Sequence, residues 1–306
     1  MRFVSFGGEE GVQLGVIQDA MVAILPKSAG DLIDIIAAGP AGMDRVRSCL
    51  AASDLALVAL ADIEPLAPLT RFRRDILCTG WNYHAHFEES VGQRGAHEVE
   101  RPNAPTFFTK APGVVIGPRD PIAFDAALSQ CWDYEAEIAV IIGRDIFSPN
   151  VAEAEAAVFG YCLANDISQR DLQRRHGGQW LKGKSVDGTM PLGPFVVTAD
   201  EIELAEVTLE CLVNGETRQS ARASQMAFSV GELIAELAFG MTLRAGDLIL
   251  TGTPSGIGSA RVPPLYLADG DEIVVRATGL GELRNVMRAT DLTRNSPVRA
   301  RLVANP

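Results

Sequence analysis

Short apolar runs that alternate with polar positions, separated by glycine, proline and asparagine, dominate this chain and predict β-strands. The first two lie within residues 2–18 (RFVSF and LGVIQ), and residues 31–55 carry the spacing of two helices. A proline-rich stretch at residues 63–72 follows. We therefore predict a small N-terminal α/β domain over residues 1–68 and a larger domain over residues 69–306.

The larger domain repeats the strand pattern many times but interrupts it with helices only irregularly. One helix is expected at residues 229–238, where Ser229 and Glu232 have the spacing of a capping box. Parallel strands need long crossovers, usually helices, so this pattern argues against a doubly wound sheet. The predicted fold class is α+β, with mixed β-strands rolled up or closed into a barrel.

Composition and charge narrow the class of partner. Of the 306 residues, 47% are hydrophobic and 22% are charged, as in an ordinary globular protein, and the formal net charge is −12. Nucleic acids and anionic membranes bind basic surfaces, so we expect neither as a main partner. A small anionic substrate remains compatible, because a local positive pocket or a bound cation is enough to hold it.

The cysteines and the apolar segments predict the cellular location. Five cysteines are scattered without a C-x-x-C pair, which is typical of small buried residues in a reducing compartment. The N-terminus lacks the apolar segment of a signal peptide, and no stretch approaches the roughly 18 apolar residues of a membrane helix. We expect a cytoplasmic protein.

An acidic cluster is the most informative feature of the sequence. In the predicted strand at residues 132–143 (WDYEAEIAVIIG), Glu135 and Glu137 share a face and precede a buried apolar run. A second apolar run ends at Asp166. Carboxylates beside buried strands repel one another unless a hard cation binds them, and Mg²⁺, Mn²⁺ and Ca²⁺ prefer oxygen ligands. The alternatives are a solvated strand face and, for Asp166, a turn cap.

A histidine-rich segment at residues 82–90 (NYHAHFEES) suggests general-base chemistry. If it is helical, His86 and Glu89 lie on one face, and the carboxylate can orient the imidazole. A zinc site on His84 and His86 is a weaker alternative, because no further histidine or cysteine has a supporting spacing. Exposed loop residues are the remaining alternative.

Two later segments are rich in glycine and polar residues. Lys182 or Lys184, within residues 176–194, could contact a substrate carboxylate or an enolate, the alternative being solvated lysines. Residues 251–258 (TGTPSGIG) follow an apolar strand, and such small residues let backbone N–H groups approach an anion. Neither segment matches a nucleotide-binding glycine motif.

Taken in order, these segments resemble the fumarylacetoacetate hydrolase family. The resemblance covers about residues 76–286 and rests on the following pieces: NYHAHFEE, FFTK, GVVIGP, DYEAEIAVIIG, GYCLANDISQRDLQ, KGKSVDGTMPLGP, VNGETRQ, LILTGTPSGIG, DGDEIVV and GLGELRN. It implies a catalytic domain built around a metal site, a preceding small domain and a homodimer.

The resemblance also implies roles for individual residues. The implied ligands of Mg²⁺ or Mn²⁺, for which Ca²⁺ may substitute in crystals, are Glu135, Glu137 and Asp166. The implied catalytic residues are the water-activating pair His86 and Glu89, together with Lys184 rather than Lys182. Residues that resemble the family's substrate-side groups are Arg170, Gln173 and Thr253. One position departs from the pattern, since some members carry a hydroxyl residue where this chain has Gly188.

The function expected from these residues is hydrolysis of a carbon–carbon bond in a 2,4-diketo acid of the acylpyruvate or fumarylpyruvate type, through a metal-stabilised pyruvate enolate. A decarboxylase, hydratase or isomerase of a related 2-oxo acid is the alternative on the same site, and a non-catalytic keto-acid-binding paralogue is a further one. A polar segment at residues 91–105 is expected to act as a lid, the alternative being a plain surface loop. The basic residues of this segment that either contact a distal substrate carboxylate or are solvated are Arg94, His97 and Arg101.

Overall fold

The computed structural model describes residues 1–8, 11–52, 55–89 and 103–294. The expected lid residues Arg94, His97 and Arg101 lie outside these ranges, so their role stays a prediction. Within the described residues, no helix has the length and apolar character needed to cross a membrane.

The strands of the described residues are numbered in chain order. Those of the first part of the chain are β1 (Arg2–Gly8), β2 (Gly11–Gln18), β3 (Met21–Ile24), β4 (Leu57–Ala59), β5 (Pro65–Leu66), β6 (Ile76–Gly80), β7 (Thr106–Lys110), β8 (Val115–Ile116), β9 (Ile122–Phe124) and β10 (Trp132–Asp133). Those that follow are β11 (Ala136–Ile142), β12 (Val158–Asn165), β13 (Ser168–Gln169), β14 (Met190–Thr198), β15 (Thr208–Val213), β16 (Glu216–Arg222), β17 (Leu248–Leu250), β18 (Glu272–Ala277) and β19 (Gly281–Ala289).

The α-helices of the same residues are short. They are α1 (Leu32–Ala37), α2 (Pro40–Leu50), α3 (His84–Glu89), α4 (Val151–Glu155), α5 (Arg170–Arg175) and α6 (Val230–Ala238). Helix α6 begins with the expected capping box, in which the Ser229 hydroxyl accepts from the Glu232 amide and the Glu232 carboxylate accepts from the Ser229 amide.

Most strands join one large mixed sheet, whose order is β4-β3-β2-β1-β14-β12-β11-β17-β6-β7. A five-stranded sheet of order β16-β15-β18-β19-β9 and the pair β10-β13 complete the architecture. The α+β class is confirmed, but the pairings of the described residues do not close the large sheet into a barrel. Strand β1 pairs antiparallel with β14, so the N-terminal strands extend the large sheet, while the domain boundary at residue 68 stays a prediction.

The strand expected at residues 132–143 is interrupted, which corrects the single-strand prediction. Its first two residues form β10 and pair with β13, whereas β11 begins only at Ala136 and pairs with β12 and β17. Between them, the Glu135 amide donates to the Asn165 side chain (3.1 Å) instead of to a strand partner. Asp133 therefore belongs to a different strand from Glu137, and Glu135 lies between the two strands.

Strand β11 explains why the site can be rigid. Every residue from Ala136 to Ile142 is buried, and its two faces belong to different apolar cores. Ile138 and Val140 pack into one core, while Ala139 and Ile141 pack into the other. Burying one Ile or Val side chain stabilises the fold by about 1.5–3 kcal/mol, so the strand that carries Glu137 and follows Glu135 is fixed on both faces.

Candidate active site

The three acidic residues predicted as metal ligands come together at the ends of β11 and β12. The register that pairs Ala136 with Asn165 places Glu135 and Glu137 beside Asp166, and the Asp166 amide donates to the Glu135 carbonyl (2.9 Å). Each carboxylate offers one oxygen within 4.8 Å of the others, and all three residues are buried. Among the described residues this is the one group of histidine, cysteine and acidic side chains with such geometry.

Two buried lysines contact this cluster. The Lys184 ammonium lies 2.6 Å from a Glu135 oxygen and 2.7 Å from an Asp166 oxygen, in agreement with its predicted place in the site. Lys110, at the end of β7, contacts the other Asp166 oxygen at 2.7 Å. Sequence reasoning missed Lys110, although a lysine that ends an apolar strand was a usable signal. Lys182 is exposed.

Arg170, which was predicted to be a substrate-side residue, forms ion pairs with two buried carboxylates. Its guanidinium lies 2.7 Å from Glu135 and donates to Asp133 at 2.9 Å. Asp133 also accepts from the amides of Gly258 (2.7 Å) and Ser259 (3.0 Å), and so ties the glycine-rich loop to the acidic cluster. Gln173 accepts from Arg170 at 3.2 Å, so two of the three predicted substrate-side residues belong to one network.

The electrostatic balance differs between the two glutamates. Burial alone would raise the pKa of Glu135, but Lys184 and Arg170 more than offset it and lower this pKa to about 2. Burial, together with repulsion from Asp166 and Glu135, raises the pKa of Glu137 well above its ordinary value. Its hydrogen bond from the Gly252 amide (2.5 Å) offsets this only partly. The positive charge within the cluster therefore does not fully balance its carboxylates.

The cluster suits a divalent cation. In all, four buried acidic side chains (Asp133, Glu135, Glu137, Asp166) face three buried basic ones (Lys110, Arg170, Lys184). The raised pKa of Glu137 shows where further positive charge would stabilise the ionised form. The oxygens offered by the three clustered carboxylates are the donors that Mg²⁺ and Mn²⁺ prefer.

The predicted pair on α3 is hydrogen-bonded. The His86 Nδ1 atom lies 2.7 Å from a Glu89 oxygen, and the other Glu89 oxygen accepts from the Gly256 amide at 2.7 Å. His86 is buried, whereas His84, two residues before it, is exposed. The two histidines therefore face different surroundings, which does not support the alternative of a zinc site on both.

A small cavity of about 50 Å³ brings most of the predicted residues together. Its polar lining includes His86, Glu135, Arg170, Gln173, Lys184 and Thr253. One side of the cavity is aromatic. The centroid of the Trp180 ring lies 4.9 Å from that of the Trp81 ring and 5.0 Å from that of the Phe108 ring. A compact polar cavity with an aromatic wall suits a small, flat, anionic molecule.

Thr253 lines this cavity, but its hydroxyl already has two partners. It donates to the Ala136 carbonyl (2.9 Å) and accepts from the Gln219 amide (2.8 Å). Its role as a substrate-side residue stays a prediction. Gly188, the position that departed from the family pattern, has φ = 70°, a conformation that favours glycine over any residue with a hydroxyl side chain.

Comparison with known proteins assigns the family. The family model of the fumarylacetoacetate (FAA) hydrolase C-terminal domain matches residues 75–288. Among curated proteins, oxaloacetate tautomerase YisK of Bacillus subtilis is 41% identical over 230 residues, covering 75% of this chain and 74% of its own length. This chain belongs to the fumarylacetoacetate hydrolase family, which confirms the resemblance read from the motifs, and it is similar to enzymes of that family.

Solved structures agree on the fold. The fumarylacetoacetate hydrolase of Exiguobacterium antarcticum superposes with a TM-score of 0.81 at 35% identity, covering 95% of this chain and 100% of that one. A maleylpyruvate hydrolase from Sphingobium sp. SYK-6, in complex with manganese(II) and pyruvate, superposes with a TM-score of 0.76 at 26% identity, with the same coverage. A relative with bound manganese is thus known.

Proposed function

We propose that this protein is a divalent-cation-dependent enzyme that interconverts the keto and enol forms of a small 2-oxo acid, with oxaloacetate as the leading substrate. The observation that carries the proposal is one cavity that both His86 and Lys184 line. His86 is hydrogen-bonded to Glu89, and the three clustered carboxylates lie beside the cavity. The relatedness to oxaloacetate tautomerase YisK supports oxaloacetate over other 2-oxo acids.

Proton transfer falls to the His86–Glu89 pair. A histidine whose Nδ1 donates to a carboxylate carries its lone pair on Nε2, and the carboxylate stabilises the imidazolium that forms when Nε2 takes a proton. Such a base can take a proton from the carbon next to the keto group and pass it to the enolate oxygen, which gives the enol, and it can carry the proton from oxygen back to carbon in the reverse direction. In our proposal His86 is the base and Glu89 orients it.

In our proposal Lys184 and Arg170 stabilise the negative charge that develops on the substrate as the enolate forms. Burial opposes the charge on Lys184, but Asp166 and Glu135 outweigh burial and raise the pKa of its ammonium above the ordinary value. Lys184 therefore stays protonated at neutral pH and acts as a fixed positive charge, not as a base. A divalent cation held by Glu135, Glu137 and Asp166 would supply further positive charge that favours the enolate form of the substrate.

Hydrolysis of an acylpyruvate is the second candidate, and the same pair favours it. A base hydrogen-bonded to a carboxylate can activate water as well as remove a carbon-bound proton. The structural likeness to a maleylpyruvate hydrolase supports this alternative, although at lower identity than the tautomerase.

The experiment compares the two reactions in one preparation. Protein stripped of metal with EDTA is reloaded with Mg²⁺ or Mn²⁺ and tested for loss of the ultraviolet absorbance of enol-oxaloacetate, and separately for pyruvate release from acylpyruvates. We expect metal-dependent tautomerisation to exceed acylpyruvate cleavage. Faster cleavage would favour the hydrolase, and the absence of turnover in both assays would favour a non-catalytic keto-acid-binding protein.

The matched controls come from the chain itself. His86→Ala removes the buried histidine of the pair, while His84→Ala removes its exposed neighbour on the same helix. Loss of one general base typically reduces the rate by 10²–10⁴-fold. We expect that loss in His86→Ala and near-parental activity in His84→Ala. Equal activity in both variants would remove His86 from the mechanism.

A further inference from the structure

A bulky residue beside the active-site cavity has a backbone conformation that disfavours bulky side chains. Trp81, which lies between β6 and α3, has φ = 54°. The other non-glycine residues with a positive φ in the described part of the chain have short polar side chains, and they are Asp19, Ser148 and Asn214. For an aromatic residue this conformation is strained, and strain that a fold retains points to a role for the residue that bears it.

The indole of Trp81 belongs to a row of aromatic rings that begins at the charged end of the cavity. The Lys184 ammonium lies 5.1 Å from the centroid of the Phe108 ring, and the Phe108 and Trp180 centroids are 5.0 Å apart. The Trp81 centroid lies 4.9 Å from that of Trp180 and 6.1 Å from that of Phe87. In this row, two rings come between Lys184 and Trp81.

Trp81 also separates two small cavities. Trp180 lines the active-site cavity of about 50 Å³, and Phe87 lines a second cavity of about 20 Å³. The Trp81 indole packs edge-to-face with both of these rings. Gly80 and Trp81 line both cavities, and because Gly80 has no side chain, the indole of Trp81 is the group that stands between them.

We propose that Trp81 is a specificity-determining residue, whose indole limits the substrate to small 2-oxo acids. The inference rests on the proposed function, in which Lys184 and Arg170 hold the anionic end of the substrate. A small substrate fits within the cavity, whereas a bulky group on the carbon next to the keto group needs the space that the indole occupies. Removing the indole joins the two cavities and admits such a group.

The test compares two ligands that share a 2-oxo acid end and differ in one phenyl group. Pyruvate and phenylpyruvate are titrated into Mn²⁺-loaded protein, and the ratio of their dissociation constants is measured by calorimetry. A single methylene in a pocket changes discrimination by about 10–200-fold, so the parent should bind phenylpyruvate at least about tenfold more weakly than pyruvate. Trp81→Gly removes the ring and suits the positive φ, so it should abolish this preference while keeping the parent's affinity for pyruvate.

Further variants control for folding and for the loss of an aromatic ring. Trp81→Leu carries the same test if Trp81→Gly does not fold, because leucine leaves an apolar side chain in place of the indole. Trp81→Phe restores a ring and should recover most of the parent's preference for pyruvate. Phe239→Ala removes an exposed ring from outside both cavity linings and should leave the ratio unchanged.

The outcomes distinguish this inference from the proposed function. A parent that binds both ligands equally, or a Trp81→Gly and a Trp81→Leu that keep the parent's ratio, would overturn the assignment alone. Variants that bind both ligands more weakly by the same factor would also overturn it, since that result marks a structural role. The expected ratios without any turnover of oxaloacetate would sink the proposed enzyme and leave the limit on ligand size. A parent that binds neither ligand would overturn both.

Discussion

Replacing Lys184 with methionine should destabilise the metal-free protein in a pH-dependent way. The side chains are similar in length, but the variant loses the ammonium that lies 2.6 Å from Glu135 and 2.7 Å from Asp166. Lys184 is the main cause that lowers the pKa of Glu135 against the effect of burial. Without that ammonium, a buried carboxylate must either stay charged beside its neighbour or take up a proton.

The size of this destabilisation follows from the free energy needed to protonate the buried carboxylate. Taking up a proton at pH 7 requires raising the carboxyl pKa by about 2.5 units from its ordinary value of 4.5, and each unit corresponds to 1.36 kcal/mol. The free energy of unfolding at pH 7 should therefore fall by about 3 kcal/mol, in the roughly 3–5 kcal/mol range typical of a broken buried ion pair. A carboxyl whose folded pKa is raised costs nothing below its unfolded pKa, so this part of the loss should shrink as the pH falls from 7 towards about 4.5. The stabilisation that the parent gains from the lowered pKa of Glu135 persists at that pH and is lost only as the pH falls further, towards about 2.

The assay is chemical denaturation in EDTA at pH 5, 6 and 7, followed by fluorescence. Lys182→Met is the matched control, because this lysine is exposed and its loss should change the free energy of unfolding by no more than about 0.5 kcal/mol. If Lys184→Met were destabilised equally at all three pH values, or no more than Lys182→Met, the electrostatic account of this cluster would be wrong.

Three further predictions concern residues of the surrounding fold. Gly252→Ala should lower the free energy of unfolding by about 1–3 kcal/mol, because φ is +93° and the new Cβ would lie 2.8 Å from Asn82 Cβ. Burial raises the pKa of the Cys162 thiol to about 12, so Ellman's reagent should label it in denatured but not in native protein. Ser229→Ala should cost about 1 kcal/mol in denaturation experiments, since it removes the N-cap of α6.

Each of these has a control in the chain. Gly113→Ala introduces a Cβ with no atom within 4 Å and without a positive φ, so it should be nearly neutral. Cys49 is only partly buried and should react before Cys162 does. Ser220→Ala, on an exposed strand position, is the control for the cap. A neutral Gly252→Ala, rapid native labelling of Cys162 or a neutral Ser229→Ala would contradict the respective argument.

The sequence predicted the features that depend on local pattern. The capping box of α6 and the buried run after Glu137 follow from residue types and their spacing alone. Asp166 was a candidate ligand because an apolar run ends there, the family resemblance implied its place with the two glutamates, and the register of β11 and β12 brings the three together.

Features that depend on distant partners escaped prediction. Lys110 and Asp166 are 56 residues apart in the sequence. The position of Lys110 at the end of an apolar strand marks it as unusual, but it does not identify Asp166 as its partner. The interruption of the strand before Ala136 arises because Glu135 bonds to the Asn165 side chain, which is 30 residues away. Long-range pairing likewise decides that β1 extends the large sheet beside β14, instead of forming a sheet confined to the first 68 residues.

The proposed function requires that Glu135, Glu137 and Asp166 bind one divalent cation beside a 2-oxo acid. This can be tested in a crystal of the protein soaked with Mn²⁺ and oxalate, with data collected at a wavelength where manganese scatters anomalously. We expect one strong anomalous peak within bonding distance of all three carboxylates, with oxalate next to it. A map without a peak there, or with manganese only at other sites, would refute this metal site.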